Sequence, residues 1–144
     1  LLDVDADSRL FGGRILLTYI YEETLPWKIT DGIDQLKSAH REAFLKYIPM
    51  GISLGRLDPR LADFNLELLA DVLDPYADLQ FDCIGIQTLY DRYLVHVKDN
   101  EWPGGKRRVE SPQIFWMRVA MGLALNEVDG EARAEIYAAA TKNT

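Results

Sequence analysis

The residues of this chain with the greatest capacity for chemistry are few and scattered. Its two histidines, His40 and His96, lie far apart, and neither stands in an HExxH or ExxH arrangement that would set two metal ligands on one helical face. His40 falls on the apolar stripe of a predicted helix, so a packed, hydrogen-bonded side chain is expected there. His96 falls on a predicted hairpin surface. The single cysteine, Cys83, sits between Phe81-Asp82 and Ile84. An acid and apolar neighbours disfavour a thiolate, so it reads as a small core hydrophobe rather than a nucleophile.

The glycines at 12, 13, 51, 55, 104 and 105 make neither GxGxxG nor GxxxxGK[ST], so no phosphate-cradling loop is visible. Lys106-Arg107-Arg108 is the one basic cluster; it reads as a solvated strand that can also contact an anion or a partner. Adjacent acids such as Glu22 and Glu23 project to different sides of a helix and make no acid/base pair. Accordingly, no catalytic, cofactor-binding or metal-ligating residue is assigned, and no cofactor is expected in this chain.

The elements that must position these residues are mostly helical. Asp7 and Ser8 can cap a first helix whose apolar positions Leu10, Phe11, Ile15 and Tyr19 recur at three- and four-residue spacing as far as Leu25-Pro26. A second helix follows on Ile33, Leu36, His40, Ala43, Phe44 and Tyr47, ended by Pro49 and Gly51, with loop expected to Gly55. Asp58-Pro59 predicts a short helical turn. Asn65 can cap a helix that Asp74-Pro75 closes, because the residue before proline is disfavoured in the helical region. Asp82 can cap another, with Cys83, Ile86, Tyr90 and Tyr93 on one face.

A β-hairpin is expected at about 93–110, formed by β-branched and aromatic residues, a Pro103-Gly104-Gly105 turn and a returning basic strand. Ser111-Pro112 opens a helix, 112–126, that is apolar on nearly every side and should be central and buried. Asp129 can cap a last helix to about Lys142. The expected fold is mainly α, a multi-helix orthogonal bundle with one small β-hairpin, in a single domain over 1–144.

Composition narrows the function. A hydrophobic fraction of 48% with 27% charged residues is that of a folded globular chain. The net charge of -7 would repel a phosphate backbone, so nucleic acid is a poor partner. The longest apolar stretch, at 114–125, is too short to span a bilayer and contains Arg118, so no membrane association is expected. With one cysteine and no signal-like start, the expected location is the cytoplasm. The chain starts without methionine and stops directly after a helix-like segment, which suggests part of a longer polypeptide.

Three longer strings go further. RLDPRL at 56–61, IQTLYDRYL at 86–94 and above all ESPQIFWMRVAMG at 110–122 resemble, in order and spacing, the N-terminal helical region of ribonucleotide reductase large subunits. Residues 1–50 are similar to the connector after the regulatory domain of bacterial class I members, and 51–144 to the helices before the catalytic barrel. The resemblance implies a part of a ribonucleoside-diphosphate reductase, which makes deoxyribonucleotides for DNA synthesis by radical chemistry at cysteines inside an α/β barrel. That chemistry needs at least three thiols, so this part alone is expected to be inactive.

The partners so implied are the barrel domain and a small radical-generating subunit, with nucleotide effectors acting on the whole enzyme. Only a structural role carries over to these residues. Trp116, Met117, Val119 and Leu123, with Tyr90 and Tyr93, are the expected structural core, and the helix near 112–126 is expected to leave apolar surface inclined to self-association. The alternative is an independent helical interaction module that docks through that same helix.

Overall fold

A computed structural model describes residues 6–127. Their architecture is mainly α with one two-stranded antiparallel sheet. The helices are α1 (Ala6–Thr24), α2 (Leu36–Ser53), α3 (Leu66–Asp71), α4 (Cys83–Thr88) and α5 (Pro112–Ala124), linked by short 3-10 turns. Local capping chemistry explains most starts. The Asn65 and Asp82 side chains accept from the backbone N–H groups of Leu68 and Gly85, and Ser111 Oγ accepts from Ile114. Asp58 and Asp74 cap the 3-10 turns Pro59–Asp63 and Pro75–Gln80, each with proline in its first turn.

Several boundaries differ from the sequence expectation. Helix α1 already includes Asp7 and Ser8, and its inward face is Leu17, Ile20 and Tyr21, whereas Phe11, Ile15 and Tyr19 are exposed. The helix is apolar on two faces, and glycine selects between them: a Cβ on Gly13 would lie 2.9 Å from the Phe81 carbonyl oxygen, so the backbone of α1 approaches the start of α4 too closely for any side chain. Helix α2 runs through the exposed Pro49 to Ser53 rather than ending there. Its reversal comes later, where the Gly51 carbonyl accepts from Arg56 and Leu57 N–H and Leu57 packs into the space that a Cβ at 51 would need.

The hairpin is shorter than expected. Strands β1 (His96–Lys98) and β2 (Lys106–Arg108) pair His96 with Arg108, Val97 with Arg107 and Lys98 with Lys106. Tyr93 is not in a strand, because α4 continues as a π-helical turn, Leu89–Tyr93, closed by Leu94 N–H donating to Leu89 O at 3.0 Å. The expected helix over 129–142 lies outside the described residues.

One buried cluster joins α1, α2 and α5, with Phe44, Tyr47, Ile48, Ile86, Ile114, Met117 and Met121 at its centre. The expected core residues divide within it. Met117 is fully buried, and Trp116, Val119 and Tyr90 are half-buried against the cluster. Tyr93 and Leu123 correct the expectation, being 56% and 70% exposed. The reason is helical geometry. Ile114, Met117, Met121 and Ala124 share the inner face of α5, whereas positions 116, 119 and 123 form a second apolar stripe that turns progressively away from the body.

Candidate functional site

The most organised chemistry in the chain is a set of buried polar groups that tie the elements together. At the entry of α5, Glu110, Ser111 and Gln113 are all fully buried. Glu110 takes part in four polar contacts: Arg118 Nε at 2.8 Å and Nη2 at 2.9 Å in a two-pronged ion pair, the Tyr47 hydroxyl at 2.7 Å, and the Val95 N–H at 2.8 Å. One carboxylate thus joins α2, the approach to β1 and two turns of α5. Burial first, and then the neighbouring Glu110 carboxylate, push the Tyr47 hydroxyl well above the ordinary phenol range, so it stays a donor. Gln113 Oε1 accepts from Asp74 N–H at 3.0 Å and fixes the turn Pro75–Gln80 against α5.

A second knot centres on Glu23 in the last turns of α1. Its carboxylate accepts from the Tyr90 hydroxyl at 2.8 Å and from Arg108 N–H at 2.6 Å, while the Arg107 guanidinium donates to the Glu23 carbonyl at 3.3 and 3.4 Å. Arg108 lies 3.8 Å over the Tyr90 ring and donates from Nε to the Tyr90 carbonyl. Two members of the basic cluster therefore fasten the hairpin to α1 and the π-helical turn.

The third group has no cation among the described residues. Asp78, fully buried, accepts from the Tyr21 hydroxyl at 2.7 Å, and the Tyr21 ring meets His40 edge-on at 5.2 Å. Burial pushes the Asp78 carboxyl up to about 7, against the opposing pull of Tyr21 and Gln113. Burial likewise lowers His40 to about 4, although its Nδ1 lies 2.9 Å from the Leu36 carbonyl. His40 is a packed core group in this setting.

The remaining candidates stand apart from these knots. Cys83 is half-buried rather than a core residue; its Sγ lies 3.6 Å from the Cβ position at Gly12, in the seam between α1 and α4. His96 is half-buried in β1. Among the described residues, no group of three or more His, Cys, Asp or Glu side chains is placed to hold a metal ion. No described helix is long and apolar enough to cross a membrane. The arrangement joins elements and sets the direction of α5.

Sequence reasoning placed Tyr47 and Tyr90 on inward helix faces but missed Glu110, Glu23 and Asp78 as the buried acceptors that tyrosine hydroxyls meet. Arg118 carried the one available signal: a cation within an apolar helix needs a buried anion, and Glu110, two turns back, can supply it.

The ribonucleotide reductase all-alpha domain matches residues 79–143. The ribonucleoside-diphosphate reductase subunit alpha of Chlamydia muridarum is 43% identical over 129 residues, covering 89% of this chain and 11% of that protein. Its Chlamydia pneumoniae counterpart is 42% identical over 126 residues, again 11% of that protein, and the Helicobacter pylori (strain J99) subunit alpha is 44% identical over 64 residues, 44% of this chain and 7% of that one. This chain thus spans about a ninth of the length of the Chlamydia relatives. It belongs to the ribonucleotide reductase large-subunit family and carries that family's N-terminal all-alpha region.

Proposed function

We propose that this chain is the non-catalytic helical part of the alpha subunit of a ribonucleoside-diphosphate reductase, of the bacterial class I type, and that its role is to present α5 to the catalytic barrel. The observation that carries this role is the apolar stripe of Trp116, Val119 and Leu123, which runs from half-buried to 70% exposed on a helix whose opposite face is sealed in the core. Such a face is stabilised when a neighbouring apolar surface removes it from water. The Glu110 knot holds the stripe in place, because it fixes both the start of α5 and its rotation.

On this reading the radical chemistry, the nucleotide effectors and the small radical-generating subunit act on the whole reductase in the cytoplasm, for deoxyribonucleotide synthesis. This chain supplies none of the reacting groups. A chimera tests it: this chain replaces the aligned segment of the Chlamydia muridarum subunit alpha, and reduction of ribonucleoside diphosphates is assayed with that organism's radical-generating partner. The chimera is expected to turn over, and the isolated chain is not. A folded chimera inactive on every diphosphate, or turnover by the chain alone, would overturn the proposal.

A further inference from the structure

Arg107 and Arg108 of the basic cluster, both used by the Glu23 knot, also line a cleft that Lys106 does not reach. Between the end of α1, helix α2 and the hairpin lies a cavity of about 360 Å³. Met50, Val97 and Val109 give it apolar walls, while Lys46, Lys98 and Arg107 supply cations at its lining. This is a concentration of positive charge in a chain whose net charge is -7.

Part of that charge is uncommitted. Lys98 has no ion-pair partner among the described residues. Lys46 reaches Glu42 at 3.2 Å, but with both side chains more than half exposed the pair is weak and easily exchanged. Arg107 spends Nε and Nη2 on one carbonyl and lies 5.4 Å from the Trp102 ring centroid, leaving N–H donors of its guanidinium free. The lining also holds two acids: both Glu23 oxygens accept from Tyr90 and Arg108, Asp99 Oδ1 accepts from Glu101 N–H, and these two acids stand against the four basic residues Lys46, Lys98, Arg107 and Arg108.

We propose that this cleft is a binding site for a small organic phosphate, with the phosphate between Lys46, Lys98 and Arg107 and the organic body against Met50, Val97 and Val109. A concave site of a few hundred Å³ with apolar walls and cationic side chains in its lining suits a small molecule better than an extended acidic peptide. The proposal is independent of the reductase assignment.

The full chain is titrated with phenyl phosphate, inorganic phosphate and hexaglutamate, followed by calorimetry and by amide chemical shifts. Phenyl phosphate is expected to bind more tightly than inorganic phosphate and to move the amides of Val97, Lys98, Arg107 and Val109. The exposed double substitution Lys46→Gln with Lys98→Gln should weaken it by at least about tenfold without altering the circular dichroism spectrum, and Lys28→Gln with Lys37→Gln should not. Absence of shifts with millimolar phenyl phosphate, equal affinity in the double variant, or tighter binding of hexaglutamate to the same amides would each overturn the proposal.

Discussion

Glu110 and Asp78 are both carboxylic acids with no exposed surface, each holding a tyrosine hydroxyl at 2.7 Å, yet they solve the problem of burial in opposite ways. Glu110 receives a guanidinium fork from Arg118 and a backbone N–H. Asp78 has no cation among the described residues, and burial pushes its carboxyl up to about 7, so the proton itself neutralises the group over the acidic range. The first arrangement fixes direction, because a fork can be satisfied in few geometries. The second makes stability depend on pH.

The largest test removes the anion from the first centre. Glu110→Ala leaves Arg118 partly buried without its partner and strips Tyr47 and the Val95 N–H of an acceptor, so a loss of roughly 3–5 kcal/mol is expected in urea unfolding. Replacing both partners, Glu110→Leu with Arg118→Met, should recover much of that loss, because no buried charge is left alone. A single variant within about 1 kcal/mol of the parent chain would show that the pair is not a structural anchor.

That contrast also marks where the sequence could be read and where it could not. The caps at Asp58, Asn65, Asp82 and Ser111 were legible because each acts within three residues of itself, whereas Asp74, read only as closing a helix, also caps the next turn. The string at 110–122 was legible as a family resemblance, but its physical content, Glu110 reaching Tyr47 on α2, lies 63 positions away in the chain. The face of α1 misled for a related reason: Phe11, Ile15 and Tyr19 have good helical spacing, and only the close approach at Gly13 decides which stripe goes inside. The exposure of Leu123 was not legible, because an all-round apolar helix does not say which side the chain itself covers.

The second centre is tested by pH. Asp78 moves from an ordinary 3.8 up to about 7, so the folded chain holds an extra proton in that window and stability falls as pH rises through it. His40 moves from 6.5 down to about 4, so the unfolded chain holds the extra proton and stability rises with pH over that range. Between about pH 4 and 6.5 the two slopes oppose each other, and the parent chain should show a shallow profile from this pair. Asp78→Asn should expose the histidine slope, a gain on the order of 3 kcal/mol from pH 4 to 6.5 relative to the parent. An unchanged difference between variant and parent across that range would mean that Asp78 does not carry the proton.

The tyrosines compare the two acceptors at smaller scale. Tyr47→Phe removes a donor from an ion pair and is expected to cost about 1.5–3 kcal/mol, whereas Tyr21→Phe, at pH 5, removes one from a neutral acid and is expected to cost about 0.5–1.5 kcal/mol. Raising the pH to 8 should increase the Tyr21→Phe loss, since Asp78 is then ionised and needs the donor more. Equal losses at both pH values would contradict the assignment of charge to the two centres.

The smallest effect belongs to a pair that looks as good as Glu110 and Arg118 on distance alone. Arg41 joins α2 to α3 through Glu67 at 3.0 Å and Asp71 at 2.9 Å, acids one helical turn apart. Its side chain is 40% exposed and those of its partners 75% and 61%, so water competes for every contact and little is lost when they break. Arg41→Gln should therefore leave the urea midpoint within experimental error of the parent, and any residual shift should vanish in about 1 M salt, where the screening length falls to about 3 Å. A salt-insensitive loss as large as that of Glu110→Ala would mean that geometry, rather than removal from water, decides what a guanidinium-carboxylate contact contributes in this fold, and would undo the distinction drawn between its buried and its surface charges.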